Sequence, residues 1–279
     1  MTIDEMVKDI SGKLETVAGV VGIVLGGSRA RGNHHPNSDI DIGVYYDEQA
    51  GFHIDAMNCI AGKLDDEHRE NLVTPLGGWG PWVNAGGWLK VQGYHVDLIL
   101  RDIHRVSDVI EDCVSGKVST YYHAGHPHAF LNVMYMGEIS ICKVLADPMG
   151  KLRNLKAKTT PYPKALQDAL ISYFRFEASF SLMHADSNVN KNDVSFVAGC
   201  CFRTISCLNQ VLFAKNEEYC INEKKAAAIV DCFPVKPKDY KRRVDTIITL
   251  LSSEQERTRE GVDMLGQLVR ETEELVDQR

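Results

Sequence analysis

Apolar residues change their spacing along this chain, and the change divides it. Ile3, Met6, Val7, Ile10 and Leu14 recur at helical intervals, so residues 1 to 18 read as an amphipathic helix that packs on a sheet. Val20 to Leu25 is an almost continuous apolar run with one glycine, which predicts a buried strand ending at Gly26 and Gly27. A short helix is expected from Ser28. Residues 33 to 37, with His34, His35 and Pro36, continue it poorly, so the chain turns and re-enters the sheet as a strand from Asp39 to about Tyr46. Residues 51 to 70 look helical, and 73 to 87 form a loop or hairpin rich in glycine and tryptophan. Trp88 to Leu100 reads as a strand interrupted by one acid, Asp97.

The pattern becomes helical beyond a boundary between about Asp147 and Pro163, where Asp-Pro-Met-Gly and Thr-Pro-Tyr-Pro punctuate the chain. Ala165 to His184 and Ser195 to Ala214 carry apolar residues at helical spacing. From Asp245 to the C-terminus, aliphatic and charged residues alternate as in a bundle helix. No internal repeat or low-complexity segment interrupts this layout.

The chemistry concentrates in the first part. Adjacent glycines at 26 and 27 let backbone approach a bulky anion, Ser28 offers a hydroxyl and an amide to phosphate oxygens, and the helix start faces the same anion. In a strand, residues two apart share a side, so Asp39 and Asp41 project together while Ile40 and Ile42 enter the core. Two parallel carboxylates repel each other unless a cation lies between them, and hard oxygen donors favour Mg²⁺ above other ions. Asp97 is the best candidate for a third carboxylate.

Gly27-Ser28, Gly32, Asp39-x-Asp41 and the distant Asp97 resemble the signature of the nucleotidyltransferases of the DNA polymerase beta superfamily. Within it the chain looks most like the small-molecule enzymes that modify aminoglycosides and lincosamides, in which a minimal catalytic domain precedes a helical one. The resemblance implies an α+β fold, with a nucleotidyltransferase catalytic domain of mixed sheet and flanking helices over 1–150 and a helical, substrate-binding bundle over 151–279. It also implies Mg²⁺ held by Asp39, Asp41 and Asp97, with ATP or another nucleoside triphosphate as co-substrate. The activity it implies is transfer of a nucleoside monophosphate, AMP from ATP, to a hydroxyl of an aminoglycoside-like or lincosamide-like acceptor, a role in antibiotic resistance, with pyrophosphate released. In that scheme Asp97 accepts the proton, and the Gly27 amide and Ser28 hold the terminal phosphates. Arg29 and Arg31 either add positive charge there or remain solvated. Residues 214–216 and 222–225 resemble a helix-end segment of several antibiotic nucleotidyltransferases, so Lys224 either reaches phosphate or belongs to a solvated charged face.

Two other functions remain open at this stage. One is the same chemistry on a protein side chain or an RNA end, as in toxin-antitoxin systems. The other is a non-catalytic nucleotide-sensing module, which has no need to keep three carboxylates together. The net charge of -7 is distributed without a basic run, which argues against a stable duplex nucleic acid partner. Eight cysteines occur with no Cys-x-x-Cys pair, and no apolar leader or membrane-length span is visible, so a cytoplasmic protein with reduced thiols and no membrane contact is expected. A helical second domain often donates surface to a homodimer.

Several residues carry two readings. Trp79, Trp82 and Trp88 either stack on a base or substrate or plug a sheet edge. Glu177 and Asp193, polar residues within apolar helices, either meet an ammonium group of a cationic substrate, act as the base, or are exposed or core-paired. His34 and His35 are expected to face water. His123, His126 and His128 have metal-like spacing, but with no cysteine or acid converging on them they read as a surface loop near the entry of the cleft. Cys200 and Cys201 are adjacent on a helix and face different ways.

Overall fold

The computed structural model describes residues 2–32 and 34–278; Asn33, the first residue of the expected turn after the glycine loop, lies outside them. In chain order the elements are α1 (Ile3–Leu14), β1 (Val20–Leu25), α2 (Gly27–Arg31), β2 (Ile40–Tyr46), α3 (Ile54–Leu64), α4 (Gly80–Val83), β3 (Ala85–Val91), β4 (Tyr94–Asp102) and α5 (Ile103–Val114). There follow β5 (Thr120–Tyr121), β6 (Phe130–Leu131), α6 (Val133–Ile141), β7 (Lys143–Ala146) and α7 (Lys151–Ala157). The helical part comprises α8 (Lys164–Asn188), α9 (Val194–Lys215), α10 (Ala226–Val230), α11 (Tyr240–Leu250) and α12 (Gln255–Asp277).

Two compact units divide this chain, Met1–Asp112 with Tyr135–Pro161, and Cys113–Met134 with Tyr162–Arg279. One division falls after Pro161, beyond residue 150 and inside the interval from Asp147 to Pro163. Residues 113–134 also belong to the helical unit. The first unit is an α+β domain and the second is mainly helical, as the apolar periods predict.

In the first unit a five-stranded sheet runs β3-β4-β2-β1-β7. β2 and β4 are parallel and the remaining pairs antiparallel, so the sheet is mixed. One face is packed by α1 and α3: Ile40, Ile42, Val44, Val96, Leu98 and Leu100 meet Met6, Ile10, Leu14, Met57 and Ala61 in a continuous core. Helix α1 starts at a reciprocal cap, in which the Glu5 amide donates to Thr2 Oγ1 at 3.2 Å and the Thr2 amide donates to Glu5 Oε2 at 2.7 Å. It ends at Leu14, four residues short of the expected end.

The segment expected as one strand from Trp88 to Leu100 is a hairpin. Gln92 and Gly93 adopt φ of 51° and 81°, the left-handed pair of a tight two-residue turn that matches strand twist. The Asp66 carboxylate accepts from both turn amides, at 2.7 and 2.8 Å. Before it, the glycine-tryptophan segment is mostly loop with the single turn of helix α4.

In the second unit α8 and α9 form the central pair. The helix expected from Asp245 to the end is two helices, broken at residues 251–254, where Thr258 Oγ1 accepts from the Ser252 amide at 3.0 Å and donates to the Ser252 carbonyl at 2.8 Å. Helix α9 is long and apolar enough to cross a membrane by length and composition, contrary to the expectation that no such span exists. Of that apolar stretch 67% is buried inside the protein, as befits the central helix of a bundle.

Candidate active site

Strand β1 delivers the chain to Gly26, whose amide donates to the Asp41 carbonyl at 2.8 Å and so extends the β1–β2 ladder by one step. Gly27 then turns at φ 58° into α2, and Gly32 ends that helix at φ 78°. Both positions favour glycine because a Cβ disfavours left-handed backbone. At Gly27 space adds a second reason: a Cβ there would sit 1.8 Å from Asp41 Oδ2. The glycine loop and the second aspartate of Asp-x-Asp are therefore in direct contact.

Asp41 lies on β2 and Asp39 one residue before the strand, near enough for the Asp39 charge to act on the Asp41 carboxyl. Parallel pairing places Asp97 of β4 beside Asp41, and antiparallel pairing places Trp88 of β3 beside Asp97. Paired residues in neighbouring strands point to the same side. Gly26, Asp41, Asp97 and Trp88 thus form one row across the sheet, on the face opposite the α1–α3 core. Two pairs further along, Tyr45 and Arg101 occupy the same face but are covered. The Arg101 guanidinium, 4% exposed, forks onto Glu138 of α6 at 3.0 and 2.7 Å. Helix α6 therefore closes one end of this face and leaves the aspartate end open.

The aspartates feel one another. Burial, then the Asp97 and Asp39 charges, push the Asp41 carboxyl up to about 6 against the opposing pull of Arg29. Burial and the Asp39 charge raise Asp97 as well, with His95 opposing. Such mutual repulsion marks a cation site, and three carboxylates suit a hard divalent ion. Two other acids of the first unit are engaged elsewhere: Asp102 accepts from the His104 amide at 2.9 Å, and Glu111 pairs with Lys158.

Arg29 departs from its expected role. It is buried, and its guanidinium donates to the carbonyls of Pro36, Ser38 and Asp39 at 2.7 to 3.2 Å. It pins the loop that leads into Asp-x-Asp instead of facing phosphate. Ser28 is half-buried and Arg31 exposed, beside the turn. His34 and His35 are exposed, and that turn closes by the Ser38 amide donating to the His35 carbonyl at 3.0 Å.

The tryptophans separate. Trp82 is buried, with the Arg105 guanidinium 4.6 Å from its ring centroid, so it plugs the fold. Trp88 is 63% exposed on an edge strand, its ring 4.9 Å from that of Trp79. Its place beside Asp97 is invisible in the sequence until the Gln92–Gly93 turn is recognised, because that turn fixes the register.

Lys224 belongs to the second unit, exposed in the turn before α10, where its amide donates to Asn222 Oδ1 at 2.7 Å. Asp193 caps α9, accepting from the Phe196 amide at 3.1 Å, which replaces the expected choice between substrate and solvent. The histidine loop is not the bare surface loop expected. His126 Nδ1 lies 3.0 Å from Glu223 Oε2, and the His128 side chain, 5% exposed, lies 3.8 Å from Glu177 and 3.9 Å from Cys207. The sequence conceals this convergence because the partners come from α8, α9 and the segment before α10.

Residues 4–115 match the family described as the nucleotidyltransferase domain, so this part of the chain is a nucleotidyltransferase domain of the DNA polymerase beta superfamily. The chain accordingly carries a nucleotidyltransferase domain. Among solved structures it is similar to a nucleotidyltransferase-like protein from Exiguobacterium sibiricum 255-15, with 11% identity, a TM-score of 0.46, and coverage of 99% of this chain and 77% of that one. No curated protein matches the sequence.

Proposed function

We propose that the protein transfers a nucleoside monophosphate, AMP from ATP, to a hydroxyl of a small molecule, with Asp39, Asp41 and Asp97 holding Mg²⁺. The observation that carries this is the packing of Asp41 against Gly27 with Asp97 alongside, because it sets the triphosphate cradle directly beside the carboxylates. Bound Mg²⁺ supplies neutralisation of phosphate charge and polarisation of the α-phosphorus. The Gly27 amide and the Ser28 hydroxyl donate to the terminal phosphates, and Arg31 adds charge at the rim. Asp97 takes the proton of the acceptor hydroxyl as its oxygen bonds to the α-phosphorus and the bond to the β-phosphate breaks, releasing pyrophosphate. A carboxylate whose affinity for protons is raised by burial suits that task.

Trp88 offers an exposed aromatic face one strand from Asp97, and we assign it to the base or the acceptor by stacking. The acceptor class, an aminoglycoside-like or lincosamide-like hydroxyl compound, follows the resemblance of the two-part layout and agrees with the acidic net charge.

The test is transfer of label from α-phosphate-labelled nucleoside triphosphates to a panel of such compounds with Mg²⁺. Label on a small-molecule hydroxyl, with pyrophosphate released and at least about a hundredfold loss in Asp97→Asn, is expected. Label appearing only on protein or RNA would overturn the acceptor assignment, and full activity in Asp97→Asn would overturn the role of that residue.

A further inference from the structure

His128, Glu177 and Cys207 lie far apart in sequence, on the loop between β5 and β6, on α8 and on α9, yet their ligating atoms all fall within 4.8 Å of one another. Among the described residues this spacing occurs at these three side chains and not at the three aspartates. His128 Nε2 is the shared corner, 3.8 Å from Glu177 Oε1 and 3.9 Å from Cys207 Sγ. In a tetrahedral zinc site, with Zn–N of about 2.0 Å, Zn–O of about 2.1 Å and Zn–S of about 2.3 Å, the corresponding separations are about 3.3 Å and about 3.5 Å. The two His128 edges are therefore about half an ångström longer than in a coordination shell, and the Glu177–Cys207 edge lies within 4.8 Å.

The corner is also held in place. The His128 and Ala129 amides donate to Glu223 Oε1 at 3.1 and 3.3 Å, and the His128 ring meets Phe174 edge-on with centroids 6.2 Å apart. These contacts fix the loop from its far side and aim the imidazole at the helix pair. Cys207 is buried and the Glu177 side chain is 13% exposed, so the site is enclosed except on one side. There the Arg203 side chain, 57% exposed, reaches in to pair with Glu177. An exposed guanidinium is easily displaced, since ion pairs at a surface hold weakly.

We propose that these three side chains bind a borderline divalent cation of the zinc class, with a water in the fourth position, and so fasten the 122–129 loop to α8 and α9. A donor set of imidazole, thiolate and one carboxylate selects Zn²⁺ over Mg²⁺, which separates this site from the aspartates in both place and chemistry. The proposal does not depend on the acceptor or the nucleotide.

The experiment titrates the full chain, stripped with a chelator, with Co²⁺ as a spectroscopic probe and then with Zn²⁺. One equivalent of Co²⁺ should give a sulfur-to-cobalt charge-transfer band that Zn²⁺ abolishes and excess Mg²⁺ leaves unchanged. Cys207→Ser should lose the band. Glu177→Gln and His128→Gln should keep a folded chain and weaken Co²⁺ binding more than about tenfold. Cys59→Ser, an exposed thiol elsewhere, and Asp41→Asn should leave the band intact. Absence of the band in the wild type, its persistence in Cys207→Ser, or unchanged affinity in both Glu177→Gln and His128→Gln would overturn the proposal.

Discussion

Asp41 is the residue on which the site's electrostatics turn. Its carboxyl is pushed from its ordinary 3.8 up to about 6 by burial and by the Asp97 and Asp39 charges. A raised carboxyl costs stability in full above the folded value and at no point below the unfolded one, so the metal-free protein should gain stability from this group as pH falls from about 6 toward about 4. Asp41→Asn removes the charge and should stabilise the metal-free protein at pH 7 by roughly 1–3 kcal/mol, solvent screening included, while abolishing turnover. Thermal unfolding across pH checks this. A variant less stable than wild type without metal would contradict the repulsion. Two other residues show how one sequence signal divides between roles. Gly27 is fixed both by its φ and by contact with Asp41, whereas Arg29, beside it in the motif, serves the loop and not the phosphate.

At the scale of elements, the hairpin of β3 and β4 decides what surrounds the aspartate row. Local alternation sufficed to place Asp39 and Asp41 on one side, since a strand's period is a property of neighbouring residues. Asp97 stood out as an acid in an apolar strand, but its pairing with Asp41 is a matter of register, which the sequence does not display. Trp88 is legible only as an aromatic in a loop or at a strand's start, because the apolar pattern from Trp88 to Leu100 runs on through the Gln92–Gly93 turn. Once that turn is recognised, Trp88 falls beside Asp97 and remains exposed. Trp88→Ala should therefore raise KM for the nucleotide or the acceptor about tenfold, in line with one lost stacking contact, and change kcat little. Steady-state kinetics on both substrates decides it, and unchanged KM values for both would remove Trp88 from the site. The cluster at His128 was hidden for a related reason, its partners being brought from 49 and 79 residues away by helix packing that spacing along the chain does not encode.

On the scale of the whole molecule, the α+β first unit and the helical second unit were legible because the apolar period changes between them. The return of residues 113–134 to the helical unit was not, since short strands β5 and β6 leave no periodic trace. Length and composition alone make α9 able to cross a membrane, whereas 67% of its apolar stretch is buried inside the protein. The first unit defines the chemistry, and acceptor choice belongs to side chains whose arrangement no motif records. The central claim is that Asp39, Asp41 and Asp97 bind a metal together with a nucleoside triphosphate. Calorimetric titration of wild type and Asp41→Asn with each of the four triphosphates, with and without Mg²⁺, tests it most directly. The account predicts saturable, Mg²⁺-dependent binding of at least one triphosphate, ATP foremost, that Asp41→Asn loses; binding that ignores Mg²⁺, or equal Mg²⁺-dependent binding in the variant, would contradict it.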